Sequence, residues 1–345
     1  MSKRQHIYRI SIRIGPRPNA DESETIHPVH RAAWLAVSSL PARIYAARNM
    51  SAVVSANWDA AQRYALAAYD ESENSGMEPL AKIKVSSDSR RLSQRFGDTF
   101  ARWYVGDVFV AMNLAAPGCC SISVDRGNDG CPPSAHLYGD AFDLAWIDSI
   151  REGWPSIQGI ALATVWDWVA RIRQTGNSVA QTRLEQVLFC LLRTGLAFSS
   201  GPDTLMWLAH AIEAIYGGPS PPLSVLRERI ATLLDLSEIH QRSLTRRLRH
   251  FYEIRNAYAH GGLRVVHPFY HEALVKRVDT EIKKVFDANA TGLRVLIATL
   301  QKFVISGWRG VEFKQSVTCV ELSGAQKRDI PRTNSLLQAD RESDG

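Results

Sequence analysis

The sequence predicts an α+β N-terminal region followed by an all-α antiparallel helical bundle, mostly α overall. Three observations predict it. Near the start, "IYRISIRIG" alternates Ile10, Ile12 and Ile14 with Arg9, Ser11 and Arg13, the period of a half-buried strand. From Gly159 onward the apolar residues recur at helical spacing. The segments with that spacing are separated by Gly-Gly, Pro-Pro or short polar runs, and short connections join antiparallel neighbours in a bundle. The chain of 345 residues is 45% hydrophobic and 22% charged, enough to bury a core without disulfides or metal staples.

The elements follow in order. After the first strand a polar segment, "PRPNADESET", precedes a helix-like stretch, "HRAAWLAVSSLPARIYAARN". "VGDVFVAMNLAAPG" and "CCSISVDRG" have the composition of two further strands joined at a Pro-Gly turn, and "RGNDGCPPS" that of a loop. Residues 1–150 are therefore expected to form an α+β domain with few strands. A connecting helix is expected in 151–177, where "IALATVWDWVARIRQ" is apolar at Ile160, Ala163, Val165, Trp166 and Val169. Residues 178–305 then hold six helical segments: "SVAQTRLEQVLFCLLRTGLAF", "DTLMWLAHAIEAIYGG", "LSVLRERIATLLDL", "HQRSLTRRLRHFYEIRNAYAHGG", "HEALVKRVDTEIKKVFDAN" and "TGLRVLIATLQKFV". Asp203 is placed to cap the second and Gly217-Gly218 to end it. Residues 306–345 are expected to be a C-terminal strand and disordered tail, "SGAQKRDIPRTNSLLQADRESDG".

Net charge is +6 with pI about 9.1, compatible with a polyanionic partner. Five cysteines in this length are not a disulfide framework. Cys119-Cys120, Cys131 and His136 lack the spacing of a zinc site, so free thiols in a reducing cytoplasm are expected, with no metal and no cofactor. No apolar core follows "MSKRQ" and no window reaches about 18 uninterrupted apolar residues, so neither a signal peptide nor a membrane span is expected. Trp146, Trp154, Trp166, Trp168 and Trp207 are expected to be packing residues rather than a base-stacking platform.

One helix carries chemistry. With ~100° per residue and Leu244 at zero, Leu248, Phe251 and Tyr258 fall within about 40° of it. Arg255 falls at about 20°, on the stripe that should be buried. A guanidinium there needs an anion or several acceptors. Glu213, flanking the stripe of Leu205, Leu208, Ile212 and Tyr216 in the second bundle helix, is a candidate partner. On the opposite face Arg242, Arg246, Arg249, Asn256 and His260 lie between about 120° and 200°, a basic ridge ending in an imidazole. Arg255 and His260 are roughly 140° apart on a straight helix. They share one site only if the last turn bends, for which Gly261-Gly262 is suited, or if a second subunit completes it.

An Arg grips a phosphate by paired hydrogen bonds, a His moves protons near neutral pH, and an Asn orients either. Together they suffice for metal-free RNA cleavage, in which a base takes the proton of a ribose 2′-OH that attacks the adjacent phosphate. A plainer reading of the same residues stands beside this: Arg255 pairs with Glu213 inside the bundle, His260 is a cation at a helix C-terminus, and the arginine run is a solvated face.

Arg255-Asn256-x3-His260 resembles the R-N-x3-H form of the motif of HEPN domains. "LMWLAHAIEAIYGG", an intervening helix and "LRHFYEIRNAYAHGG" are similar in order and spacing to the Apea-like branch of that family, over residues 178–305. Ile212 and Ile215 stand where the branch often has Leu. The resemblance implies a compact helical bundle that pairs as a homodimer with facing Arg–His motifs. It also implies a metal-independent endoribonuclease acting as a toxin or phage-defence effector, with RNA as substrate and an antitoxin or defence-system protein as possible partner. Carried over by residue, Arg255 contacts the scissile phosphate, His260 transfers the proton, Asn256 is the polar neighbour and Glu213 an orienter, with Tyr258 supporting from the apolar stripe and Arg242, Arg246 and Arg249 tracking RNA. The alternative within the family is a non-catalytic RNA- or nucleotide-binding or dimerisation module. A metal-dependent nuclease or phosphotransferase lacks its marks: there is no P-loop, no H-E-x-x-H and no clustered acidic trio.

Overall fold

The computed structural model describes residues 4–14, 20–47, 49–70, 80–125, 135–173, 178–197, 201–217, 221–264 and 276–313. Among them are ten helices and six strands, so the protein is mostly helical, with an N-terminal antiparallel half-barrel sheet. The described residues up to Val311 form one compact unit.

The first strand forms where the alternation predicts it, as β1 (Arg4–Ile14). Two helices, α1 (Ala20–Val37) and α2 (Asp59–Asp70), flank a hairpin of β2 (Arg43–Ala47) and β3 (Met50–Asn57). Then come β4 (Leu80–Ser87), α3 (Gln94–Ala115), β5 (Cys120–Asp125) and β6 (Ala135–Leu137). The sheet order is β2-β3-β4-β1-β5-β6, antiparallel throughout. One face holds Tyr8, Ile10, Ile12, Tyr45, Val54, Ile83 and Val85 in the core, against α3.

Three expectations change here. "VGDVFVAMNLAA" is the second half of α3, not a strand. From Tyr104 to Ala115 every residue is buried, so the segment shows no polar side and its β-branched residues imitate a strand. The helix-like stretch from His30 also divides: α1 ends at Val37, and after Leu40-Pro41 the chain becomes β2. The strands β2, β3 and β4 add to the few expected. The loop expected at 126–134 and the tail from 314 lie outside the described residues.

The helices continue with α4 (Asp140–Glu152), α5 (Leu162–Ile172), α6 (Arg183–Leu196), α7 (Pro202–Tyr216), α8 (Leu223–Leu233), α9 (Glu238–Ala259) and α10 (Lys276–Ser306). Four of the six predicted bundle helices are α6 to α9. The last two are one helix, α10, with Thr291-Gly292 inside it. Gly292 is not a break but a close approach: a Cβ there would lie 2.8 Å from the Phe251 ring of α9 and 3.2 Å from Cβ of Leu208 in α7. Asp203 does not cap α7. Gly201 is the N-cap, Pro202 takes the first turn where its missing N–H is harmless, and Asp203 lies in that first turn. Gly217 closes the helix as expected.

Two polar clusters tie the layers together. Asp107 of α3 is buried and accepts from Nη1 of Arg173 at 2.7 Å, Nη2 of Arg43 at 3.3 Å and the Tyr45 hydroxyl at 2.5 Å. Glu152, at the end of α4, pairs with Arg247 of α9 and, at 3.1 Å, with the buried Arg294 of α10, whose guanidinium lies over Trp154. Trp146, Trp154, Trp166 and Trp168 are core residues; Trp207 is 38% exposed, with Arg193 over its ring, and so is not the packing residue expected. Cys119, Cys120 and Cys190 are free and buried, and burial pushes the Cys119 thiol well above its ordinary value. Among the described residues no helix is long and apolar enough to cross a membrane, and no group of His, Cys, Asp and Glu is placed to hold a metal.

Candidate functional site

Ser237 starts α9 by accepting the backbone N–H of His240, the usual satisfaction of a free helix donor. Leu244, Leu248 and Phe251 are fully buried, against α7, α8 and α10. The rotation therefore assigns Leu244, Leu248 and Phe251 correctly, while Tyr258, expected on the same stripe, is only half-buried. On the facing stripe of α7, Leu205, Leu208, Ile212 and Tyr216 are buried as well.

The opposite face is solvent-exposed. Arg242, Arg246, Arg249, Asn256 and His260 all lie on it, and none of the three arginines makes an ion pair among the described residues. Glu253, also exposed, falls at about 180° by the same rotation, so a carboxylate interrupts the ridge between Arg249 and Asn256.

Arg255 and Tyr258 are half-buried where α9 emerges from the core. Nη1 of Arg255 donates to Oδ1 of Asn256 at 2.9 Å. Nη2 stands 3.9 Å from Oε1 of Glu213, an ion pair too long for a hydrogen bond. Nε is buried and has no acceptor. The guanidinium thus keeps donor capacity that neither Asn256 nor Glu213 uses.

Tyr252, one turn before Arg255 and Asn256, belongs to the same group. Burial first, and then the Glu213 charge, hold its phenol well above the ordinary tyrosine value, so it is a neutral O–H donor. Its hydroxyl lies beside Glu213 but makes no hydrogen bond of ordinary geometry. Its only mark in the sequence is its angle of about 80°, which sets it beside Arg255 on the helix surface.

The last turn does not bend. The His260 N–H still donates to the Asn256 carbonyl at 3.0 Å, a helical bond. Gly261 then takes φ +73°, with Gly261 N–H to the Tyr258 carbonyl and Gly262 N–H to the Ala257 carbonyl at 2.7 Å. This is a complete Schellman closure, which only a residue free of a Cβ adopts without strain. The helix is regular through the motif. Arg255 faces α7, while His260 is exposed some 140° around and about 7.5 Å along the axis. Of the two routes to a shared site, local bending is not the one taken.

Comparison with protein-family models, with curated proteins and with solved structures finds no match to this chain.

Proposed function

We propose that the chain is a metal-independent endoribonuclease of HEPN type, a toxin or phage-defence effector that cuts RNA by 2′-OH attack. The observation that carries it is the unsaturated Arg255 guanidinium, held from two sides by Asn256 and Glu213, on the helix whose exposed end is His260. In this mechanism Arg255 binds the scissile phosphate through its free donors and stabilises the pentacoordinate transition state. Glu213 and Asn256 hold the guanidinium plane. An imidazole takes the 2′-OH proton and protonated imidazole returns one to the leaving 5′ oxygen. Because the Arg255 and His260 sides of one helix diverge, the reading calls for a homodimer in which His260 of each subunit approaches Arg255 of the other. Arg242, Arg246 and Arg249 carry the RNA backbone toward that cleft. An antitoxin or another defence protein would act by covering the ridge.

The same divergence favours a second reading, a HEPN module that binds RNA or a nucleotide, or only pairs with itself, without cutting. Cleavage of single-stranded and transfer RNA in EDTA separates the two. The nuclease reading expects products ending in 2′,3′-cyclic phosphate, and a loss of about 10²- to 10⁴-fold in His260→Ala, as for removal of a general acid–base group. An unchanged rate in a folded His260→Ala protein removes that residue from the mechanism; salt-sensitive binding with no product at any pH leaves the binding module.

A further inference from the structure

The sheet of the N-terminal half has a second face, which no described helix covers. In β1 the residues on that side are Gln5, Ile7, Arg9, Ser11 and Arg13; in β4 they are Lys82, Lys84 and Ser86; in β3, Ser51, Val53, Ser55 and Asn57. Arg9, Arg13, Lys82 and Lys84 are exposed. The register sets three of them in adjacent rows across the strands, Asn57–Lys82–Arg9–Asp125 and Ser55–Lys84–Ile7, while Arg13 lies further along β1 opposite Ser121. Lys82 and Arg9 are direct cross-strand neighbours, about 5 Å apart at Cβ, an arrangement that disfavours the sheet when no anion intervenes. Lys82, Lys84 and Arg13 make no ion pair among the described residues. Asp125, beyond Arg9, is the one acid in these rows.

The geometry points to this open face as a docking surface for the phosphodiester backbone of a single-stranded nucleic acid. Four cations against one acid complement a polyanion, and Ser55, Asn57 and Ser86 supply hydrogen-bonding side chains for phosphate and sugar oxygens. A second copy of the chain is disfavoured as occupant, since it would set four cations against four. The same face exposes Ile7, Val53 and, next to it in β2, Ile44, and at its β6 edge His136 lies against Tyr138, so a lipid surface is the competing occupant that the test separates. The outward residues of β1, β3 and β4 include no aromatic, so bases are not stacked over the cationic rows and binding there follows charge and not sequence. The surface is separate from α9 and does not depend on whether α9 cuts RNA.

The test uses the full chain with a fluorescein-labelled 20-nucleotide oligodeoxythymidylate, which has no 2′-OH and so cannot report cleavage. Neutralising four phosphates on a single strand gives a log–log salt slope of about −3, roughly a 50-fold weakening between 50 and 200 mM salt. Lys82→Glu/Lys84→Glu is expected to weaken binding at 50 mM salt by tenfold or more. The milder Lys82→Gln/Lys84→Gln, with unchanged melting temperature, is expected to reduce the slope by about 1.4. An Arg242→Gln/Arg249→Gln chain reports the α9 ridge separately and is expected to keep the contribution of the sheet. Wild-type binding by a folded lysine variant, or no binding by the native chain, overturns the proposal. So does a loss, in the lysine variants, of binding to phosphatidylserine vesicles when no oligonucleotide is bound, which would assign the face to a membrane surface.

Discussion

Nη2 of Arg255 and Oε1 of Glu213 stand 3.9 Å apart across the contact between α9 and α7, both side chains less than one-third exposed. The pair positions the guanidinium more than it stabilises the bundle. Glu213→Gln keeps the shape and removes the charge. Its expected effect on stability is about 1 kcal/mol or less, read as a small shift in urea midpoint. If Arg255 binds the scissile phosphate, the cleavage rate falls roughly fivefold or more for each 1 kcal/mol of positioning lost. A rate unchanged by Glu213→Gln would leave Glu213 without a role in holding Arg255.

The buried stripe of α9 gives a separate expectation. Leu248→Asp places a charge where the side chain is fully buried and should unfold the bundle. Gly292→Val tests the same contact from α10: its Cβ would meet the Phe251 ring at 2.8 Å, and overpacking of this kind costs about 1–3 kcal/mol. Circular dichroism melts read both, and a folded Leu248→Asp protein would reverse the face assignment.

Asp107 pairs with two buried guanidinium groups at once. Asp107→Asn leaves Arg43 and Arg173 buried without a counter-charge, a loss of about 3–5 kcal/mol. Urea denaturation measures it, and a change below 1 kcal/mol would mean that water reaches the cluster.

His30 sets a pH dependence. Burial, with a small contribution from nearby His27, lowers its pKa to about 4, against the opposing hydrogen bond from its ring to the Pro117 carbonyl at 2.9 Å. The folded state therefore resists a proton that the unfolded chain takes up below about 6.5. Stability is full above that pH and is lost as pH falls toward 4, by about 2 kcal/mol between pH 7 and 5. His30→Gln should flatten the urea midpoint across that window, while carboxylate effects appear mainly below it.

What could be foreseen follows from periodicity. The stripes of α9 and α7 are legible because each has one apolar and one polar side, and the angle of Arg255 calls for an anion, for which Glu213 beside the α7 stripe is the candidate. The second half of α3 was not legible as a helix, because a helix buried all round loses the polar side that marks it. α10 reads as two segments in the sequence for a related reason: Gly292 inside it makes space for Phe251 and Leu208, which belong to other helices. The joining of Glu152 to Arg247 and Arg294, some 95 and 142 residues away along the chain, left no local pattern at all. Tyr252 was within reach of the same rotation that found Arg255.

The hydrogen-bonded turn at Gly261 also bears on reaction order. It holds the imidazole and guanidinium on divergent sides of α9, so if the chain cuts RNA as proposed, a phosphate touching both lies between two chains. Specific activity would then rise with protein concentration and level off as pairing saturates. Two inactive proteins, one Arg255→Ala and the other His260→Ala, should regain activity on mixing, because their heterodimer rebuilds one intact composite centre.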